Sequence, residues 1–249
     1  PPRSTLFPYT TLFRSIFLSS VLFGGRSHDA LFVRLDQLIF GCQPAREFSA
    51  ALSSSGFFNE LMFGSYFSYF VVLCITPWIP WALGNREEAK RQVFVFAAVS
   101  GLLDLWYLVF RVQGPKYWFA DLHARWYEEF EGGLFVRFFQ MMFDQAPLYG
   151  AAFPSSHVAE MTMFTLLAWR VDKRLCALYA ALTALVSMAT VYIYAHYAVD
   201  AIAGFIVAIV LVPLLLKASD PAQALADRLA TPNPKPGKAS LGAERGSRP

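Results

Sequence analysis

Two short motifs carry residues able to do chemistry. They are Phe153-Pro154-Ser155-Ser156-His157 and His196-Tyr197-Ala198-Val199-Asp200. A neutral imidazole attacks electrophiles such as phosphorus, and histidine exchanges protons near neutral pH. Asp200 stands four residues after His196, the neighbouring position on a helix face, where a carboxylate orients the ring. His157 follows Ser155 and Ser156, either of which caps a helix start. Hydroxyls and free N–H groups at such a start suit phosphate oxygens, as do the N–H groups of the opening turn that joins His196 to Asp200. One histidine as nucleophile and the other as acid and base is a pairing for phosphoryl transfer.

The chain must bring these motifs together, and the stretch between them shows how. It is strongly apolar and covers about two bilayer crossings, at ~20 residues per crossing of a core ~30 Å thick. A helix out and a helix back return His196 to the membrane face that holds His157. Gly114-Pro115-Lys116 ends an earlier apolar segment on the same side. Lys116 is placed to pair with a phosphate oxygen and offset charge in the transition state, although lysine after a span also serves as an interfacial anchor. Arg125 and Arg137 are secondary candidates, and Glu160 reads as an interfacial acid on the His157 face.

Composition supports a membrane setting. The 249 residues are 56% hydrophobic and 16% charged, with mean hydropathy +0.41; soluble domains average about 25% charged. A polytopic all-α membrane bundle of about five to six helices is expected. Spans are read at 57–83, 93–112, 175–195 and 197–216, and 158–169 joins them if its helix extends at both ends. The segment 134–143 reads as a short interfacial helix and 29–48 as an amphipathic interfacial segment. Glu60 and Asp104 are expected to pair with tyrosine or serine groups inside the bundle. Net charge is +3, and the basic residues sit in loops and tail, with no nucleic-acid signature. Cys42, Cys74 and Cys176 lack paired spacing.

Four regions follow. Residues 1–15 look like the translation of a sequencing-adapter oligonucleotide, with Thr-Leu-Phe at both Thr5 and Thr11. Residues 16–56 hold a partial first helix and the interfacial segment, 57–217 the membrane domain, and 218–249 a disordered basic tail. Arg86, Lys90 and Arg91 in one loop and Arg170, Lys173 and Arg174 in another mark the cytoplasmic face. His157, His196 and Lys116 then face the periplasm or lumen.

Together these residues resemble the type 2 phosphatidic acid phosphatase superfamily, which shares its active-site design with vanadium haloperoxidases. The likeness runs from about Asp36 to Leu216. It implies His196 as nucleophile, Asp200 as its orienting partner, His157 as acid/base, and Lys116, Ser155 and Ser156 as phosphate ligands. It implies no cofactor and no metal. The family's third motif commonly begins Ser-Arg, where Ala189-Thr190 stands here, and its first motif is shortened to Gly-Pro-Lys. Both features are similar to the branch of inositol phosphorylceramide and sphingomyelin synthases. Membrane lipids are then the substrates, their phosphate released to water or their phospho-headgroup passed to an alcohol acceptor. Two other readings share these residues: a catalytically inactive membrane scaffold, and a metal-dependent hydrolase, since His-x-x-x-Asp spacing also suits a metal.

Overall fold

The computed structural model describes residues 27–145 and 150–230. The adapter-like segment and the partial helix at 16–24 lie outside the described residues, as does the tail beyond residue 230. The chain folds into an all-α membrane bundle. In order come α1 (Asp29–Phe40), α2 (Pro44–Leu52), α3 (Gly56–Ile75), α4 (Trp78–Ala82), α5 (Arg86–Val109), α6 (Pro115–Trp118), α7 (Ala120–Glu129), α8 (Leu134–Gln145), α9 (Ser156–Ala168), α10 (Lys173–Tyr192) and α11 (Ala198–Ala230).

Among the described residues, four helices are long and apolar enough to cross a bilayer: α3, α5, α10 and α11 as far as Asp220. Each begins behind a polar cap or turn. Ser55 accepts the N–H of Phe58, Asn85 that of Glu88, and Asp172 those of Arg174 and Leu175. Each also has two faces. On α5, Val95, Val99 and Leu103 join the core, while Leu105 and Val109 are exposed. On α11, Ala208 and Val212 are buried, while Phe205, Ile206, Ile209 and Leu214 are exposed. Exposed apolar rows of this kind are what lipid tails cover.

α9 is different. It has 13 residues, about 20 Å at ~1.5 Å each, too short to cross the hydrocarbon core. It packs chiefly against α10 and α11, and most of its side chains are buried. The traverse expected at 158–169 is made by a short helix buried inside the bundle, which with its flanking turns leads the chain from the site to the far rim at Arg170. Ser155 caps its start, and it ends at Ala168, just before Arg170 is drawn aside to Glu88. Gly204 allows the tight approach of α11: a Cβ there would stand 2.4 Å from the Ser155 carbonyl oxygen.

The other departures are local. α11 runs on to Ala230, where a disordered tail was expected from residue 218. The interfacial segment is two helices, α1 and α2, broken at Gly41, whose φ of 71° is left-handed. Glu60 pairs with backbone instead of side-chain hydroxyls, accepting N–H groups of Phe135 and Val136 at the start of α8. Glu160 is a buried acid, accepting from the Tyr69 and Ser100 hydroxyls at 2.6 Å each; it lies inside the bundle because α9 does.

Candidate active site

Three backbone segments meet at one end of the bundle. The stretch before α6 pairs with the stretch before α9 through a bridge between Val112 and Ala151, with the Ala152 N–H donating to the Val112 carbonyl at 3.0 Å. The turn between α10 and α11 joins them: the Lys116 N–H donates to the Tyr194 carbonyl at 2.9 Å. That turn is tight. Tyr194 has φ 64°, a left-handed value that costs a non-glycine residue about 1 kcal/mol or more. Its hydroxyl is tied to Ser49 of α2 at 2.5 Å, and the N–H groups of Ala195 and His196 both reach the Thr190 carbonyl at 3.0 Å. Gly114, at φ 90°, lets the first segment pass: a Cβ would lie 2.6 Å from the Ala195 carbonyl oxygen.

The result is that His196 and His157 face each other. His196 Nε2 lies 3.4 Å from His157 Nδ1. His196 Nδ1 lies 2.7 Å from the carbonyl oxygen of Ala152. A carbonyl only accepts, so Nδ1 carries the proton and Nε2 keeps a free lone pair aimed at His157. The orienting partner expected from the sequence was Asp200. Its Oδ2 is 3.8 Å from His196 Nδ1, too far for a hydrogen bond, because that oxygen accepts the Tyr197 N–H at 2.9 Å. Asp200 is fully buried, and its other oxygen has no hydrogen-bond partner among the described residues. Burial pushes His196 down to about 4, against a smaller upward pull from the Ala152 carbonyl, so the ring is neutral at neutral pH.

His157 is held by rings. Tyr66 stacks on it at 4.6 Å between centroids, and Tyr69 lies at 4.5 Å. Both histidines open onto a cavity of about 460 Å³. Lys116, Ser156, Glu160 and Asp104 line the same space. Lys116 is 3% exposed. Its ammonium sits 3.3 Å from the Trp126 ring centroid and 4.2 Å from that of Phe143, a cation–π seat.

The remaining sequence candidates fall elsewhere. Ser155 is buried, is not on the cavity wall and spends its oxygen on the Val158 N–H; Ser156 is the serine that faces the space. Arg125 pairs with Asp121, and neither it nor Arg137 lines the cavity. Thr190, in the place of the usual motif arginine, is buried and donates to the Ser187 carbonyl at 2.8 Å. The N–H groups expected to draw phosphate to the start of α11 are occupied by carboxylates: Ala198 and Val199 donate to Asp36, and Tyr197 to Asp200. Among the described residues, no group of three or more His, Cys, Asp or Glu is placed to hold a metal ion.

The orienting Ala152 carbonyl had no sequence signal, since every residue has one. Asp29 and Asp36 did have one: two acids seven residues apart on a mainly apolar helix. No curated protein and no solved structure matches the chain. His196, buried, and His157, partly so, face each other across a cavity that Lys116 also lines. The sequence model described as PAP2 superfamily matches residues 32–214, most of the chain, and the protein belongs to that superfamily.

Proposed function

We propose that the protein is an integral-membrane phosphatase or phosphotransferase that acts on a phospholipid or lipid phosphate through a phosphohistidine at His196. The free lone pair on His196 Nε2, left by the Nδ1 bond to Ala152, is the observation that carries this reading. Nε2 attacks phosphorus and the bond from phosphorus to the lipid oxygen breaks. His157 gives that oxygen a proton that arrives with the bound phosphate, since burial and the neighbouring His196 hold its own ring well below the usual histidine range. The phosphorylated ring, still bearing its Nδ1 proton, is cationic. The Asp200 carboxylate, buried 3.8 Å away, answers that charge. In the second half, His157 takes a proton from water or an alcohol, whose oxygen displaces His196 from phosphorus. Release to water is hydrolysis; transfer to an alcohol moves the headgroup.

Lys116 and Ser156 line the cavity and are assigned to the phosphate oxygens. An ammonium resting on a ring can turn to an anion while its stem stays packed. The aromatic and aliphatic remainder of the wall suits a lipid's glycerol or ceramide region. The basic loops at the other end of the bundle support an outward-facing site, in the periplasm or lumen. The shortened first motif and Thr190 favour the transferase branch related to inositol phosphorylceramide synthesis, with an alcohol such as inositol as acceptor.

The test is turnover of a panel of headgroup-labelled phospholipids and phosphatidate by the purified chain in nanodiscs, with and without added inositol or diacylglycerol. Wild type should release or transfer label, and His196→Ala should lose at least about 10³-fold. A fully active His196→Ala variant sinks the proposal.

A further inference from the structure

α1 lies outside all three motifs, yet it carries two fully buried carboxylates. Asp29 is 0% exposed and Asp36 1%. They stand seven residues apart, two helical turns, and so on one face with Phe32 between them. What they bind is the backbone of the site. Asp36 accepts the N–H groups of Ala198 and Val199 at 3.1 and 3.0 Å. Asp29 accepts those of Gln113 and Gly114 at 2.8 and 2.9 Å and the Tyr197 hydroxyl at 2.9 Å. Ser27 also donates to Asp29. The residues bound are the neighbours of Lys116 on one side and of His196 on the other.

We infer that α1 is a positioning element: Asp29 and Asp36 set the distance between the lysine segment and the nucleophile turn. This rests on the proposed roles of His196 and Lys116. The physical case is that a carboxylate accepting two N–H groups fixes both donors at once, with charge-assisted bonds about twice as strong as neutral ones. Asp36 caps α11 from another helix, holding the first turn that follows His196. Asp29 bridges Gly114 and Tyr197, so neither segment shifts without the other. α1 is itself held, by the Gln43 amide on the Val33 carbonyl at 2.9 Å and the His28 N–H on the Arg111 carbonyl at 3.0 Å. An asparagine at either position keeps one acceptor oxygen and turns an NH₂ group toward a backbone donor.

The experiment uses the full chain in nanodiscs with the labelled lipid that wild type turns over best. Asp36→Asn and Asp29→Asn are compared with wild type and with Arg170→Ala, which loosens the other end of the bundle. Expected is a fall of about 10- to 100-fold in kcat with KM within about 3-fold, the pattern of a misplaced reacting group. It should appear at a temperature where circular dichroism shows both variants folded. Arg170→Ala, at a comparable loss of melting temperature, should keep wild-type kcat. Wild-type kcat in both folded asparagine variants overturns the inference and leaves the phosphohistidine reading standing. Failure of both to fold also overturns it, since the acids then serve the fold. A wild-type chain with no turnover on any lipid removes the functional reading, and this inference with it.

Discussion

The two ends of the bundle use their buried carboxylates in opposite ways. At the end away from the site, carboxylates meet cationic side chains. Glu88 of α5 receives Arg170 at 2.9 Å and Arg91 at 3.0 Å, and Arg91 reaches Asp220 of α11 at 2.5 Å. Long side chains join α5, the turn after α9 and α11, and several of these groups are partly exposed. At the site end, Asp29, Asp36 and Asp200 accept backbone N–H groups, and all three are buried. An ion pair between flexible side chains tolerates a shift of the helices it joins. A carboxylate capping backbone does not, because its partner has no rotamer to adjust. One rim closes the bundle; the other fixes the segments that carry His196 and Lys116.

Breaking the site rim should be costly in function. After loss of His196 itself, the largest effect is expected from Asp200→Asn, which on the proposed mechanism removes the carboxyl group that answers a cationic phosphohistidine. A loss of about 10²-fold or more in kcat is expected from steady-state assays, with KM changed less. Gly204→Ala comes next. Its methyl would meet the Ser155 carbonyl oxygen at 2.4 Å, pushing α11 from α9 and parting His157 from the turn that holds His196. A stability loss of about 1–3 kcal/mol by thermal melting, together with reduced turnover, should follow.

The pH profile sharpens the comparison further. His196 is held down to about 4 by burial, so the free enzyme keeps a neutral nucleophile through the mildly acidic range. The acid limb of kcat/KM should therefore fall near pH 4 rather than near the ordinary histidine value of about 6.5. The sign follows because protonation, favoured as pH drops, consumes the lone pair. A limb near 6.5 would show a hydrated ring. The smallest effect is reserved for the far rim. Arg170→Ala should lower stability by about 1 kcal/mol, given the half-exposed arginine and the remaining Glu88–Arg91 contact. Its turnover should match wild type, and its stability deficit should shrink as salt screens the pair it removes.

The same contrast explains what was legible in the sequence. Apolar runs set the crossing helices, so α3, α5, α10 and α11 fall close to where hydropathy places them. The return of His196 to His157 was legible for the same reason, as two helix lengths of chain. The partner of the ring was not. Asp200 sits at the right spacing, but the Ala152 carbonyl lies closer, and it arrives through a bridge to Val112 that no side chain announces. The expected phosphate-drawing N–H groups at the α11 start were lost to Asp36, over 160 positions earlier in the chain. Ser155 and Ser156 are identical by type, and only the helix start decides that one caps while the other faces the cavity. Lys116 reads as anchor or ligand from sequence alone, and the Trp126 ring beneath its ammonium is a contact that no spacing announces.

The length of α9 has a consequence for how a lipid must approach. One end of this helix is moored at the far rim through Arg170, and it extends only about 20 Å, some 10 Å less than the hydrocarbon thickness. On the proposed reading, with Arg170 at the opposite headgroup layer, His157 at the other end lies beneath the near one. On that reading a phosphoryl group descends into the slab to be attacked, and substrate selection is in part a matter of which lipids let their polar end be pulled below the waterline.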